Sequence, residues 1–203
     1  MNRNELESEI SEIMKIFLPS KYYALDFRFL YHLKFNNPIV YTTYQYFFDR
    51  ISHSICVSLI MDLCILFNKK EKFSLERLCN KIIQDYAESE LNKYLSLDDF
   101  SLLCLPLKED KLNSIVTKIK NTRNEYYAHL DRIRTPFESI QITSKEIDEL
   151  ISVAELFIKQ VELTYFGKDV RFDLSDSELG YKFVNHLEEW NKYREKYGLL
   201  KYP

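Results

Sequence analysis

Glycine and proline are scarce in this sequence. The chain of 203 residues contains 3 Gly and 5 Pro. So few glycines exclude the Gly-x-Gly-x-x-Gly turn of dinucleotide-binding proteins and the glycine-rich phosphate loop of nucleotide hydrolases. The shortage of both residues leaves few turn signals, which argues against a sandwich or barrel of many short strands. Any phosphate that the protein binds must therefore be held by side chains.

An excess of charge of either sign is also lacking. The 28 Lys and Arg residues nearly balance the 31 Asp and Glu residues, and the formal net charge is −3. Such a balance predicts no long-range attraction to nucleic acid or to an acidic membrane. Binding to either partner would depend on a local cluster of basic residues.

The cysteines lack the spacing of a zinc site or of a disulfide framework, and no Cys-x-x-Cys pair is present. They are Cys56, Cys64, Cys79 and Cys104. We expect reduced, buried thiols, which behave as small apolar side chains. The polar N-terminus resembles no secretory signal, and the most apolar stretch, Ile55–Phe67, is interrupted by Asp62 and is too short to span a bilayer. We therefore expect a soluble, cytoplasmic protein that does not enter a membrane.

Helical periodicity dominates what is present. Thr143-Ser144-Lys145-Glu146 matches a capping box, and apolar residues recur behind it at helical spacing until Gly167. Pro38 suits the first turn of a long helix that continues to about Phe67. Before it, Glu5–Phe17 and Lys21–Phe35 are predicted as two helices separated by Pro19. We predict an all-α bundle of about seven helices in a single domain, residues 1–203.

That domain is divided into N-terminal helices (1–37), a helical core (38–166) and a C-terminal helix (167–203). Aromatic residues are abundant in the first two parts, with 15 Tyr and 14 Phe in the chain. Clusters such as Tyr22-Tyr23, Tyr41–Tyr46 and Phe47-Phe48 could stack nucleic-acid bases. A role in the core or in a dimer face is the favoured interpretation, because these stretches also carry the packing residues of their helices.

One arginine interrupts the apolar face of a predicted helix over 108–130. Leu112, Ile115, Val116 and Ile119 define the apolar stripe of this helix. At about 100° per residue, Arg123 falls close to the middle of that stripe. An unpaired buried charge costs several kcal/mol. Arg123 must therefore have either a buried partner or a functional opening in front of it.

Polar and charged residues surround Arg123 in the sequence. Asn124 follows it directly, and His129 lies six residues later, about 9 Å farther along the helix axis. Four further basic residues lie nearby, namely Lys118, Lys120, Arg132 and Arg134. Between positions 118 and 134 only Glu125 and Asp131 oppose them. We interpret the four as candidate nucleic-acid-binding residues.

The residue types at this site suit the cleavage of RNA without a metal or another cofactor. Arginine matches a phosphate with two parallel donors, and histidine exchanges protons near neutral pH. Asn124 can orient its neighbour or donate to a phosphate oxygen. Attack by a 2′-hydroxyl on the adjacent phosphate would give a 2′,3′-cyclic phosphate and a 5′-hydroxyl. The candidate catalytic residues are therefore Arg123, Asn124 and His129.

A purely structural interpretation stands beside this one. An arginine within a stripe can pair with a carboxylate on the next helix, and a histidine can be a satisfied surface residue. Basic residues near the C-terminal end of a helix are favoured by the helix dipole in any protein. The residues alone leave both interpretations open.

Arg123–His129 resembles the Arg-polar-x4-His signature of the HEPN superfamily, with Asn in the polar position. The extension Ala128–Asp131 resembles, more narrowly, the abortive-infection HEPN proteins of the AbiU type. Upstream, Phe67–Lys70 and then Ser74–Leu78 are similar to that family's charged loop and Ser-Leu-x-Arg-Leu helix start. The resemblance covers roughly residues 39–165.

The resemblance implies a helical bundle that dimerises, with the Arg and His residues of two protomers meeting across a cleft. Many HEPN proteins are metal-independent endoribonucleases that act as toxins or in phage defence. By this resemblance Arg123 stabilises the transition state, His129 is the acid and base, and Asn124 supports them. Other members act as non-catalytic modules, which would bind RNA, a nucleotide or a partner protein.

One departure bears on the partners that the resemblance implies. HEPN toxins that are paired with a nucleotidyltransferase antitoxin carry a tyrosine two residues after the histidine, and the partner modifies it. Asp131 occupies that position here. The expected partners are a second copy of the chain and RNA. An antitoxin or nucleotidyltransferase partner stays an alternative that Asp131 makes less favourable.

Overall fold

The computed structural model describes residues 1–88, 90–129, 142–172 and 178–196. Within these ranges the protein has eight α-helices and no strand, so the predicted all-α class is confirmed. The helices are α1 (Arg3–Asn36), α2 (Pro38–Thr43), α3 (Gln45–Phe67), α4 (Leu75–Asp85), α5 (Leu97–Cys104), α6 (Asp110–His129), α7 (Ser144–Val161) and α8 (Glu178–Lys196). Short 3₁₀ turns lie at Tyr86–Glu88, Glu90–Lys93 and Leu105–Lys108, and a π-helical turn follows α7 at Glu162–Phe166.

Helix α1 runs without a break through Pro19. The prediction of two helices over Glu5–Phe17 and Lys21–Phe35 is therefore wrong. Proline removes one backbone hydrogen bond and crowds the preceding turn. Buried side chains on both sides of it, among them Phe17 and Ala24, pack into the same core, and this packing offsets the local cost.

The predicted long helix from Pro38 to Phe67 is in fact two helices. α2 begins at Pro38 as expected and ends before Tyr44, whose backbone leaves the helical region at φ −117° and ψ 27°. The Thr43 hydroxyl donates to the Ile39 carbonyl at 2.8 Å, a local bond that competes with helical geometry. The Tyr44 hydroxyl donates to Asn191 of α8 at 3.0 Å. A tertiary contact thus accompanies the break where the sequence has neither Gly nor Pro.

The main core lies between α1, α3, α4, α5, α6 and α7. Helix α3 is central to this core and packs against α1 and α6. Fully buried members of this core include Phe17, Leu63, Leu66 and Phe157. A second, smaller cluster consists of Leu30, Leu33, Val40, Phe48 and Val184. It joins the C-terminal part of α1 and the start of α3 to α2 and α8.

The predicted helix ends are confirmed where local signals mark them. The Thr143 and Glu146 capping box is formed in both directions at the start of α7, and Ser74 accepts from the Arg77 backbone N–H at the start of α4. Gly167 closes the π-helical turn with φ +66°, in the left-handed region that favours glycine. The sequence Ser175-Asp176-Ser177-Glu178 is a second helix-start signal, and Gly198 suits the end of that helix, but residues 175–177 and 198 lie outside the described residues.

The cysteines are free and buried, as predicted. Helix α3 has the length and apolar composition of a membrane-crossing helix, longer than the Ile55–Phe67 stretch that the sequence suggested. Core helices of soluble proteins meet the same criteria. Because Leu59, Leu63 and Leu66 of α3 are buried in the main core, the helix is consistent with a soluble protein.

Candidate functional site

Helix α6 carries the candidate residues and packs against α3. The side chains of Leu112, Ile115, Val116 and Ile119 are buried, on the face that the sequence pattern predicts. Toward the C-terminal end of α6, the next buried residue on this face is Thr122. Its hydroxyl donates to the Lys118 carbonyl at 2.9 Å within the helix. The apolar stripe therefore ends at Thr122, and Arg123 lies at its margin.

Arg123 is half-buried, with 26% of its side chain exposed. Its Nε and Nη2 atoms donate to Asn124 Oδ1 at 3.4 and 3.3 Å. Its Nη1 atom faces Glu71 Oε1 at 3.7 Å. The guanidinium thus has a carboxylate partner and also reaches solvent. Both explanations that the sequence left open, a partner and an opening, apply to it in part.

The carboxylate partner comes from the loop Asn68–Phe73, which connects α3 to α4. Asn68 ends α3 by donating its backbone N–H to the Cys64 carbonyl at 3.0 Å, and its own carbonyl accepts from Glu71 at 2.8 Å. The Asn68 Oδ1 atom accepts from the Lys70 backbone N–H at 3.4 Å. The same side chain donates from Nδ2 to Glu71 Oε1 at 3.3 Å. This turn holds Glu71 toward α6.

The loop adds three basic residues beside the candidate site. Lys69, Lys70 and Lys72 are exposed, and Lys72 Nζ lies 5.0 Å from the ring centroid of Phe73. The contact between Glu71 and Arg123 places this lysine-rich turn next to the candidate site. The signal in the sequence was a charged loop directly after an apolar helix, but its proximity to α6 depends on the tertiary fold.

The two described lysines of the predicted basic cluster have different surroundings. Lys118 Nζ donates to Glu146 Oε1 and forms an ion pair with it at the start of α7. This hydrogen bond and the Thr143 backbone N–H lower the pKa of Glu146. Lys118 therefore joins α6 to α7. Burial raises the pKa of the Cys64 thiol at the end of α3 to about 11, and the positive charges of Arg123 and Lys120 oppose this rise.

The other predicted site residues are reached only in part. Helix α6 extends to His129, so the backbone of His129 lies about 9 Å beyond that of Arg123 along the helix axis. The His129 side chain, Arg132 and Arg134 lie outside the described residues. The site that the structure describes therefore consists of Arg123, Asn124, Lys120 and the loop Asn68–Phe73.

A separate groove of 410 Å³ lies on α3, lined by Tyr46, Phe47, Arg50, Ile51, Ser54 and Ile55. Tyr46 and Phe47 are exposed, and the Arg50 guanidinium lies over the Tyr46 ring at 5.5 Å. This groove is roughly 20–30 Å along α3 from the loop Asn68–Phe73, at 1.5 Å per residue. Of the predicted aromatic clusters, Phe48 is in the second core cluster, whereas Tyr22, Tyr46 and Phe47 face solvent.

An all-α bundle with an Arg-Asn pair near the end of a helix that extends to His129 is consistent with the HEPN class. Within that class the chain belongs to the AbiU2 family, whose model matches residues 4–192. The match is longer than the resemblance over residues 39–165, and it includes nearly all of α1 and most of α8. No curated protein and no solved structure matches the chain.

Proposed function

We propose that the protein is a metal-independent endoribonuclease of HEPN type. The observation that carries the proposal is the half-buried Arg123 guanidinium, which is oriented by Asn124 and opens to solvent beside a lysine-rich loop. A guanidinium held in this way can bind a phosphate with two donors while its own stem is fixed by packing. Membership of a HEPN family makes RNA the expected substrate.

The proposed reaction is a transfer within the RNA strand. A base removes the proton from a 2′-hydroxyl, the oxygen attacks the adjacent phosphorus, and the 5′-oxygen leaves with a proton from an acid. Arg123 stabilises the negative charge that develops on the phosphoryl oxygens. Electrostatic stabilisation of this kind usually makes the largest contribution to lowering the activation barrier. His129 supplies the acid and base functions. The products are a 2′,3′-cyclic phosphate and a 5′-hydroxyl.

The test is cleavage of purified RNA in the presence of EDTA. We expect Arg123→Ala to lower the rate by about 10²–10³-fold and His129→Ala by about 10²–10⁴-fold. Arg171→Ala and His186→Ala are matched controls, because these side chains are 77% and 80% exposed and lie outside the site. Absence of cleavage by the unmodified protein, or equal rates in all four variants, would disprove the catalytic proposal.

A non-catalytic RNA-binding module is the second candidate, and the contact between Arg123 and Glu71 favours it. A guanidinium that already has a carboxylate partner can serve a structural role. This candidate predicts salt-dependent RNA binding without a cyclic phosphate product. Binding and cleavage measured on the same preparation separate the two candidates.

We also propose that two protomers complete the site, as HEPN proteins usually do. A composite site requires an interface that includes the C-terminal part of α6. A dimer formed through the groove on α3 would instead leave the two Arg123 side chains far apart. Light scattering should give twice the monomer mass of 24.5 kDa. Phe47→Asp should leave that mass unchanged, and its dissociation into monomers would contradict the composite site.

In the cell, the proposed role is that of a cytoplasmic toxin or abortive-infection effector in phage defence. Induced expression should arrest growth, and Arg123→Ala should relieve the arrest. Partner modification at the position of Asp131 is not expected, because a carboxylate replaces the tyrosine hydroxyl that such partners modify. An antitoxin, if one is encoded beside this protein, should therefore act by binding.

A further inference from the structure

Glu71 places a negative charge among hydrogen-bond donors at the candidate site. Its Oε1 atom lies 3.3 Å from Asn68 Nδ2 and 3.7 Å from Arg123 Nη1. Asn68 is 7% exposed, so its amide is fixed inside the turn rather than free in solvent. The Asn68 donor therefore has a defined position, and the Arg123 side chain faces the same oxygen atom from α6.

The carboxylate is held weakly from the Arg123 side. The separation of 3.7 Å between Arg123 Nη1 and Glu71 Oε1 is that of an ion pair without a hydrogen bond, and it is longer than the 3.3 Å hydrogen bond from Asn68. The Glu71 side chain is also 38% exposed. Exposed ion pairs of this kind contribute little to stability. A competing anion can therefore replace Glu71 at Arg123 without disrupting the core.

The surroundings favour a nucleic-acid phosphate as that competitor. Lys69, Lys70 and Lys72 flank Glu71 in the same turn and are exposed, and Lys120 lies one helical turn before Arg123 on α6. Glu71 is the only acidic residue in the loop Asn68–Phe73. A strand drawn to these lysines brings its phosphates to the donors that Glu71 occupies, and a phosphate offers Arg123 two oxygens in place of one.

We propose that Glu71 is the internal occupant of a phosphate-binding site formed by Arg123 and Asn68. A backbone phosphate of RNA displaces the Glu71 carboxylate and accepts from the same two donors. The inference rests on the proposed function insofar as it names RNA as the ligand. It adds Asn68 as a binding residue and Glu71 as a competitor that weakens binding in the free protein.

The test is the affinity for a fluorescein-labelled single-stranded 2′-O-methyl RNA, which has no 2′-hydroxyl to react, measured by anisotropy in EDTA. We expect Glu71→Gln to bind about fivefold more tightly, which corresponds to about 1 kcal/mol. Glu189→Gln removes the same charge from a side chain that is 77% exposed on α8, and its affinity should change less than twofold. Equal or weaker binding by Glu71→Gln would overturn the proposal.

A double-mutant cycle distinguishes local competition from a general effect of charge. In the Arg123→Gln background, Glu71→Gln should no longer increase the affinity. A fivefold gain that persists without Arg123 would show that Glu71 acts on RNA by repulsion alone and would also overturn the proposal. Thermal unfolding of each variant checks that the fold is retained.

The outcomes separate this inference from the ribonuclease proposal. Suppose that natural RNA is not cleaved but Glu71→Gln binds more tightly in an Arg123-dependent manner. The catalytic proposal then fails, and the proposal that Glu71 competes with phosphate is supported. If cleavage depends on Arg123 while Glu71→Gln does not bind more tightly, the proposal that Glu71 competes with phosphate fails and the ribonuclease proposal is supported.

Discussion

Asp62 is a carboxylic acid within the apolar helix α3, and its removal should stabilise the protein in a pH-dependent way. Burial raises the pKa of the Asp62 carboxyl from 3.8 to about 6, and the neighbouring Ser20 hydroxyl opposes this only in part. The Ser20 hydroxyl has one proton, which it donates to the Ile16 carbonyl at 2.7 Å. The charged form of Asp62 therefore loses hydration on folding without gaining enough hydrogen bonds to replace it.

The sign follows from proton linkage. The folded protein binds the Asp62 proton more tightly than the unfolded chain, so ionisation weakens folding. The cost is fully present above pH 6, is about half its full size at pH 5, and is small at pH 4. A carboxyl pKa that rises from 3.8 to about 6 on folding corresponds to roughly 3 kcal/mol of unfolding free energy. Because Asp62 is half-buried and water screens its charge, we expect ionised Asp62 to lower the unfolding free energy by about 1–2 kcal/mol.

Asp62→Asn keeps the shape of the side chain and removes the charge. Urea unfolding at pH 7.5 should show the gain of about 1–2 kcal/mol, and the gain should shrink when the pH is lowered to 4.5. Asp169→Asn is the matched control, since its carboxylate is 75% exposed. An equal gain at both pH values, or none at pH 7.5, would refute the idea that Asp62 carries a buried charge.

Three further predictions concern the turn after α7, the basic loop and the core. Gly167→Ala should lower the unfolding free energy in urea by about 1 kcal/mol, because φ is +66° and no atom lies within 4 Å of the added methyl group; Gly167→Asn should cost less. Replacing Lys69, Lys70 and Lys72 by Gln should weaken RNA binding and flatten its salt dependence by up to about 2 log units per log unit of salt, while unfolding stays unchanged. Leu63→Ala should cost about 2–5 kcal/mol in urea unfolding, since Leu63 is fully buried.

The features of the fold that could be predicted are those with local causes. The capping box of Thr143 and Glu146 and the left-handed Gly167 depend on residues within one turn, and both are confirmed. The two errors have tertiary causes. Packing on both sides carries α1 through Pro19, and the break at Tyr44 coincides with a hydrogen bond to Asn191 of α8, far away in the sequence.

The candidate site likewise has some features with local causes, which the sequence predicts, and others that depend on the tertiary fold. Helical periodicity placed Arg123 close to the middle of the apolar stripe, but the structure places it at the margin, because Thr122 takes the buried position at this end of α6. The loop Asn68–Phe73 meets Arg123 only because α3 and α6 pack together. No pattern within 118–134 could reveal that Glu71 faces the guanidinium, so the acidic partner and the additional lysines required the fold.

The division of the interior into two clusters has a consequence for how the protein opens. Helix α8 is attached through Val184 in the smaller cluster and through polar contacts of Glu188 with Asn37 and of Asn191 with Tyr44. Opening this region exposes little of the main core, so it should detach more readily than the protein unfolds as a whole. The C-terminal amides of α1 should then exchange their hydrogens for deuterium faster than those near Phe17, although both belong to one uninterrupted helix.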